Sequence, residues 1–208
     1  QLRLGLTTYA DISKRLGKED EAAWAVEQRK KLDASIQKKC WDGKWFVWAI
    51  AEDGTVYGTH SIEEGQIYFN TQVWSVISGA ATPDQVKECL ASVKEKLATP
   101  YGLMLCAPPF IYASRNIMTS VVYPAGIKEN AGIFNHTQGW GVIAEIMRGN
   151  GDQAYEYLKA ALPAAYNTKA EVRQSEPYVI GQTTYSSVSP RAGNTRVSWL
   201  SGAATWNY

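Results

Sequence analysis

The chain has 208 residues, of which 45% are hydrophobic and 20% are charged, and its formal net charge is +1. This composition is typical of a globular protein with its own core. The near-neutral charge gives no electrostatic basis for binding nucleic acid or an anionic membrane surface. No apolar run in the sequence approaches the roughly 20 residues that span a bilayer, and the first residues do not resemble a signal peptide.

The three cysteines, Cys40, Cys89 and Cys106, are widely spaced and odd in number. This pattern argues against a disulfide framework and against a zinc site, so we interpret each as a small apolar core residue and expect no metal. Unpaired thiols fit a reducing cytoplasm, where we expect the protein to be located. The eight Trp and 12 Tyr against four Phe suit packing against sugar rings as well as core packing.

Polar segments at 17–36, 81–100 and 149–167 are predicted to be helices. Each has an aspartate near its start, where a carboxylate satisfies free backbone N–H groups and meets the positive end of the helix dipole. Apolar residues follow at helical spacing, as Val86, Leu90 and Val93 do in the second segment.

A more apolar segment precedes each of these helices, at 4–17, 69–81 and 136–149, and a fourth begins at 197–208. We predict these as inner helices that are more buried than their polar partners. The strings FNTQVW (69–74) and FNHTQGW (134–140) nearly repeat each other, and by letters the second contains one additional residue, a histidine. Helical hairpins therefore recur with a period of roughly 65 residues.

Hairpins in series can stack into an open solenoid or close into a ring, the (α/α)6 barrel. The links at 41–68 and 101–134 favour the ring, because they are long whereas the links of a solenoid are short. Long ordered links in a compact domain are usually functional. The predicted fold class is therefore all-α, an (α/α)6 barrel with long loops on one rim. Alternating apolar residues and a DGT turn in the first link predict a small β-hairpin.

The densest cluster of polar residues on this rim lies in 123–140. Four of these residues stand at or just before the start of an inner helix, where backbone N–H groups attract anions and polar ligands: Lys128, Glu129, Asn130 and His136. The alternative is structural, with Lys128 and Glu129 as solvated loop charges and His136 as a helix cap.

Two further rim segments carry candidate ligand-binding groups. Glu176 and Gln182 can bind sugar hydroxyls, or they can be a turn carboxylate and a satisfied loop amide. Ser201 and Gly202 open the fourth inner helix and offer a hydroxyl and a backbone N–H suited to phosphate, although an ordinary N-cap uses the same groups.

Other polar residues are interpreted as structural. Asp42 belongs to a WDG turn ahead of a strand, and His60 has no companion ligand or nucleophile. Glu63 and Glu64 are adjacent in sequence and are a poor acid–base pair. The sequence contains no P-loop, no dinucleotide-binding motif and no serine–histidine–aspartate signature.

Four strings resemble the cellobiose phosphorylase family, the inverting glycoside phosphorylases that include cellodextrin and chitobiose phosphorylases. They are YPAGIKENAGIFNHTQGW (123–140), GNGDQAYEY (149–157), EVRQSEPYVIGQ (171–182) and SWLSGAATWNY (198–208). The resemblance implies an (α/α)6 barrel that cleaves a β-linked glucosyl disaccharide with inorganic phosphate. The products are α-glucose 1-phosphate and glucose, formed with inversion as in the inverting glycosidase scheme.

The resemblance also implies roles for particular residues. Tyr123, Lys128 and Glu129 resemble the family's sugar contacts, a group to which we add Glu176, and His136 resembles the histidine at the boundary between sugar and phosphate. On the phosphate side the resembling residues are Gln182, Ser201 and Gly202, with serine where relatives often have threonine. Phosphate is then a co-substrate, no other cofactor is expected, and the full-length enzyme is expected to be a homodimer.

In this family the general-acid aspartate and the arginines that hold phosphate precede the matched segment. We find no such motif, so no catalytic residue is assigned, and residues 1–208 are expected to be a partial catalytic domain truncated at both ends. A partial ring is also expected to expose apolar faces of its terminal hairpins, which favours association. The rival functions are an inverting glycoside hydrolase on the same fold and a helical-repeat binding module.

We expect the 208-residue chain alone to lack phosphorolytic activity, because no group has been found to protonate the leaving sugar. The measurement is formation of glucose 1-phosphate from cellobiose and inorganic phosphate. Product above the enzyme-free background would contradict this expectation.

Overall fold

The computed structural model describes residues 1–112, 122–196 and 200–203. Its longer helices come in consecutive pairs: α1 (Leu2–Arg15) with α2 (Glu19–Lys39), α3 (Phe69–Ile77) with α4 (Pro83–Leu97), and α5 (Gln138–Met147) with α6 (Gly151–Ala161). The remaining helical segments are one turn of α-helix, α7 (Ala170–Arg173), and 3₁₀ turns at Asn135–Thr137, Pro163–Lys169 and Leu200–Ala203. The predicted hairpins are confirmed, whereas most of the fourth inner helix, 197–199 and 204–208, lies outside the described residues.

Local sequence signals explain where these helices begin and end. At the start of α4, the Thr82 hydroxyl accepts from the backbone N–H of Gln85 (3.4 Å), and the Gln85 side chain accepts from the N–H of Thr82 (3.0 Å). This reciprocal arrangement is a capping box, strengthened by Pro83 in the first helical position. Gly79 and Gly149 follow α3 and α5 with φ of 70° and 81°, a backbone conformation that glycine adopts without steric cost.

The paired helices form an inner and an outer row. In the inner row, the rings of Trp74 on α3 and Trp140 on α5 meet edge to face at 5.4 Å between centroids. In the outer row, the Gln37 and Gln85 side chains exchange hydrogen bonds of 2.8 and 3.1 Å between α2 and α4. The main core lies between these rows and the rim, and includes Phe69, Val73, Leu90, Val93, Leu97, Leu103 and Ile133.

The cysteines behave as apolar core residues. Cys89 and Cys106 are buried in the main core, and Cys40 is half-buried. Burial raises the pKa of Cys89 and of Cys106 to about 12, so both thiols stay protonated at neutral pH.

The prediction that inner helices are more buried is wrong for α1. Leu2, Tyr9 and Ile12 on this helix are 67%, 43% and 51% exposed, because no further helix packs on that face within the part of the chain that is described. The described helices do not close into a ring, and the expected exposure of apolar side chains on a terminal hairpin is confirmed. No helix among the described residues is long and apolar enough to cross a membrane.

Short antiparallel strands join the links that leave the outer helices, so a strictly all-α description is wrong for the rim. The predicted hairpin is present as β1 (Ala49–Ile50) paired with β2 (Val56–Tyr57). The other strands are β3 (Ile67–Tyr68), β4 (Ala98–Thr99), β5 (Gly102–Leu103), β6 (Cys106–Ala107), β7 (Ile133–Phe134), β8 (Thr183–Thr184) and β9 (Thr195–Arg196). They form because buried extended backbone needs hydrogen-bond partners.

These strands place side by side the two long links and a third link, which follows α6 and contains β8 and β9. β3, at the end of the first link, pairs with β6 in the second, and β4 pairs with β5. β7, at the end of the second link, pairs with β8 in the third, which pairs in turn with β9. The prediction that the long links share one rim is therefore confirmed.

The two similar strings owe their likeness to a buried glutamine at the start of each inner helix. Gln72 donates to the carbonyl oxygens of Phe46 (2.8 Å) and Tyr68 (3.0 Å), and its Oε1 accepts from the N–H of Phe46 (2.9 Å). Its amide therefore pairs with the backbone of one link residue as a neighbouring strand would.

Gln138 repeats this arrangement in the second copy. It donates to the carbonyl oxygens of Leu103 (3.1 Å) and Phe134 (3.0 Å) and accepts from the N–H of Leu103 (2.7 Å). Thr71 and Thr137, each just before the glutamine, also bond to matching carbonyls.

These matching bonds correct the register inferred from letters. When Gln72 is aligned with Gln138, the residues before them also align without a gap, beginning with Ile67 aligned with Ile133. His136 is therefore not an insertion; it stands at the position of Asn70, and Asn135 stands at that of Phe69. The difference between the copies lies in which side chains occupy the same backbone positions.

Replacing Gln72 with leucine should lower the free energy of unfolding by about 2 kcal/mol, because the buried N–H of Phe46 loses its partner and its C=O keeps only the Thr71 hydroxyl at 3.2 Å. Urea denaturation monitored by circular dichroism measures the loss. The matched control is Gln28→Leu on α2, whose amide makes no hydrogen bond in the described structure and which should change stability little. Equal losses of stability for the two variants would contradict the interpretation that Gln72 anchors the link through Phe46.

Candidate functional site

The loop 123–132 before β7 is tightly folded and carries Lys128 and Glu129. Lys128 and Ala131 both have positive φ, 50° and 60°, at a cost of about 1–2 kcal/mol for each non-glycine residue. A Cβ on Gly132 would overlap the backbone nitrogen of Lys128, so only glycine fits there. Such strain persists only where surrounding contacts enforce it, and it is common at ligand sites.

Asn130 enforces the conformation of this loop. Its side-chain amide donates to the carbonyl oxygens of Tyr123 and Phe110, both at 2.8 Å, and its Oδ1 accepts from the N–H of Phe110 at 2.7 Å. The residue is almost fully buried. Asn130 therefore anchors the loop on the second link and holds Lys128 and Glu129 at the rim.

Lys128 joins two predicted ligand-binding residues. Its Nζ donates to Oε1 of Gln182 at 2.6 Å and lies 6.0 Å from the ring centroid of Tyr123. Because the lysine occupies Oε1, the orientation of the Gln182 amide is set, and its two N–H donors lie on the other side. Glu129 is half-buried, and its Oε2 is buried without a hydrogen-bond partner in the described structure.

His136 lies in the 3₁₀ turn Asn135–Thr137 that connects β7 to α5. Its ring contacts those of Phe134 and Trp140 edge to face, at centroid distances of 5.6 and 6.1 Å. Burial lowers the pKa of His136 below its usual value, so the imidazole is neutral at pH 7 and carries one N–H donor.

The predicted phosphate-side residues meet around β8. The N–H of Gln182 donates to the Arg196 carbonyl (3.1 Å), and its carbonyl accepts from the N–H of Asn135 (3.0 Å). A Cβ on Gly202 would overlap the carbonyl oxygen of Gly181, so the turn that contains Ser201 packs directly on the residue before Gln182. The described structure thus brings His136, Gln182 and the Ser201–Gly202 turn together, with Lys128 attached to Gln182.

Glu176 is not brought into this group. It is exposed, and its carboxylate makes no hydrogen bond or salt bridge in the described residues; only its backbone oxygen accepts, from Arg173 (2.5 Å) and Val179 (3.1 Å). Its assignment as a sugar contact remains a prediction from sequence.

The residues interpreted as structural behave as such. Asp42 accepts from the backbone N–H groups of Lys44, Trp45 and His60 and from the side chains of Thr59 and His60, at 2.9–3.0 Å. Burial alone would raise the pKa of Asp42, but these hydrogen bonds outweigh it and lower the pKa below its usual value. Glu64 caps a loop by accepting from the N–H groups of Ile111 and Tyr112.

Sequence reasoning placed Asn130 on the rim but gave it no anchoring role, and it missed Asn135 and Gln138. The repeated Thr-Gln pair was the available signal for Gln138, whereas nothing in the sequence indicated the contacts that the two asparagines make. Among the residues that the structure describes, no group of three or more His, Cys, Asp or Glu is placed to bind a metal ion.

The family model for the Glycosyl hydrolase 94 superfamily, catalytic domain, matches residues 1–208. Solabiose phosphorylase from Paenibacillus borealis is 30% identical over 183 residues, which cover 88% of this chain and 24% of that protein. N,N'-diacetylchitobiose phosphorylase from Vibrio proteolyticus is 30% identical over 205 residues, covering 98% and 26%. Cellobionic acid phosphorylase from Neurospora crassa is 28% identical over 207 residues, also covering 98% and 26%. The chain spans about a quarter of the length of these curated relatives.

Asp42→Asn should lower the free energy of unfolding at pH 7 by about 1–3 kcal/mol, because the isosteric amide satisfies fewer of the surrounding donors. Because the folded-state pKa of Asp42 is depressed, its stabilisation is present above the unfolded carboxyl pKa of about 3.9 and is lost as the pH falls below it. Urea denaturation at several pH values should show the difference from the parent narrowing below about pH 4. Asp11→Asn on exposed α1 is the control; a pH-independent deficit for Asp42→Asn would contradict the interpretation.

Proposed function

The chain belongs to the Glycosyl hydrolase 94 superfamily, matching its catalytic domain over residues 1–208, and on that premise we propose that it is part of a glycoside phosphorylase. The enzyme cleaves a β-linked glucosyl disaccharide of the cellobiose type with inorganic phosphate. It inverts the anomeric centre and yields α-glucose 1-phosphate and glucose. The relatives named for solabiose, N,N'-diacetylchitobiose and cellobionic acid support the reaction class.

The observation that carries this proposal is the convergence of anion-binding groups around β8. Lys128, neutral His136, the Gln182 amide and the Ser201–Gly202 turn supply cationic, N–H and hydroxyl donors from the second and third links and the turns that follow them. Phosphate is already an anionic nucleophile, so it needs binding and aiming more than it needs a base. A hydrolase would instead need a second carboxylate there to activate water.

Each donor has a defined part in the proposed reaction. The Gln182 amide, turned by Lys128, donates N–H to a phosphate oxygen, and so do the hydroxyl of Ser201 and the backbone of Gly202. Another phosphate oxygen attacks the anomeric carbon from the face opposite the leaving group. The glycosidic C–O bond breaks as a carboxylic acid outside the assigned residues protonates the departing oxygen.

His136 acts where phosphate and sugar meet. Because burial keeps its imidazole neutral at pH 7, the ring contributes an N–H donor without a fixed positive charge. That donor stabilises charge as the phosphate oxygen approaches the anomeric carbon. Tyr123, Lys128, Glu129 and Glu176 are proposed to bind sugar hydroxyls, with the buried Oε2 of Glu129 as an acceptor awaiting a donor.

The proposal also covers the architecture of the whole enzyme. The hairpins of residues 1–208 form part of an (α/α)6 barrel in a longer cytoplasmic protein that functions as a homodimer. Phosphate is its co-substrate, and it uses no other cofactor. The three adjacent helix pairs and the links on one rim support this arrangement.

The reaction is tested by incubating the full-length enzyme with cellobiose and related disaccharides, with and without phosphate. We expect sugar release that requires phosphate and is matched by glucose 1-phosphate. Release that proceeds equally without phosphate would indicate the hydrolase, and binding without release would indicate the binding module.

In that enzyme, His136→Ala should reduce turnover by about a hundredfold or more, as loss of one transition-state contact can. His60→Ala is the matched control, because His60 is the other of the two histidines and bonds to Asp42 rather than to the site. It should leave turnover unchanged. A near-parental rate for His136→Ala would return this residue to a purely structural role.

A further inference from the structure

Asn135 is hydrogen-bonded to several parts of the candidate site. Its backbone N–H donates to the carbonyl of Gln182 (3.0 Å), and its Nδ2 donates to the carbonyl of Gly181 (2.8 Å). Its Oδ1 accepts from the hydroxyl of Thr184 at 3.3 Å. The residue is 5% exposed, so these bonds form in a largely dry environment where they fix geometry strongly.

The positions of these partners give the contacts their meaning. Gly181 is the residue on which Gly202 packs, and Gln182 and Thr184 belong to the strand segment that carries the phosphate-side amide. His136 directly follows Asn135 in the same 3₁₀ turn. One asparagine therefore connects the histidine, the glutamine and, through Gly181, the serine–glycine turn.

The first copy of the repeat is an internal comparison. Phe69 holds the same register position, and its N–H donates to Leu105 at 2.8 Å just as that of Asn135 donates to Gln182. The backbone bond is thus common to both copies, but the Phe69 side chain is fully buried in the apolar core. The polar side chain of Asn135 is not needed to form this strand pairing, so it serves something that the first copy lacks.

We propose that Asn135 is a positioning residue, which sets the spacing of His136, Gln182 and the Ser201–Gly202 turn around inorganic phosphate. This role rests on the proposed phosphorylase function. Donors on separate segments of the chain converge on one small anion only if their separation is held, and small displacements weaken binding sharply. Asn135 does not touch the phosphate; it acts through the backbone of Gly181 and Gln182.

The test compares Asn135→Ser with Thr184→Val in the full-length enzyme. The first variant is expected to raise the KM for phosphate about tenfold or more, with the KM for the disaccharide nearly unchanged. Thr184→Val, which removes the hydroxyl bonds to Oδ1 of Asn135 and to the Thr195 hydroxyl, both at 3.3 Å, should give a smaller rise in the same direction. Circular dichroism and thermal melting establish that each variant is folded.

Asn194→Ser is the matched control. Asn194 is also buried and lies in the same link as Gln182, but its amide bonds to Gln174 and Arg191. It should leave the KM for phosphate unchanged. If Asn135→Ser does not fold, the phosphate KM of Thr184→Val decides.

Each other outcome overturns the idea. If the KM for phosphate is unchanged in the folded variants, Asn135 is only a structural residue. The same conclusion follows if the KM rises equally for phosphate and for sugar and Asn194→Ser shows the same rise. A parent enzyme that cleaves without phosphate would overturn the proposed function itself and this role with it. A phosphate-dependent parent with unaffected variants would overturn the positioning role alone.

Discussion

Two buried glutamine side chains, Gln72 and Gln138, hold the irregular rim of this protein on its helices. Each amide occupies both the N–H and the C=O of one link residue, Phe46 or Leu103, and also a carbonyl one turn back. Buried backbone groups without partners cost about 1–3 kcal/mol each. Long links can therefore pack against the inner helices only because such groups are satisfied, and the site depends on links held in this way.

The two copies of the repeat share this backbone arrangement but carry side chains of different polarity. The first copy places Phe69 and Leu105 at positions where the second places Asn135 and Gln182. The first pair belongs to or packs against the apolar core, whereas the second pair lies among polar groups beside His136. The backbone bond is the same in both copies, so only the side chains distinguish the apolar core position of the first copy from the polar site position of the second.

The parts of this arrangement that could be predicted from sequence are those with strong periodic or capping signals. Thr82, Pro83 and the spacing of apolar residues predict helix α4, and the turn between β1 and β2 predicts their hairpin. Two-residue strands are too short to show an alternating pattern, so the pairing of β7 with β8 could not be predicted from the sequence. Matching FN to FN by letters also concealed the true register, which only the hydrogen bonds of Gln138 reveal.

The candidate site was predicted in its parts more than in its assembly. Lys128, His136 and Gln182 stood out by residue type and by the family resemblance, and the structure brings them close together. Their distances depend on Asn130 and Asn135, whose importance arises from contacts far apart in sequence. Glu176 is exposed and bonds to none of these residues in the described structure, so its contact with sugar stays a prediction.

The strand pairs that gather the three links use main-chain atoms only, and main-chain hydrogen bonds are indifferent to side-chain identity. The exposed positions of the links can therefore vary while the strand pairs keep their spatial order. Under the proposed function, evolution can exchange one sugar for another at such a rim without redesigning the scaffold. Relatives about 30% identical to this chain are named for different disaccharides. This is consistent with a scaffold held by main-chain bonds whose exposed side chains vary.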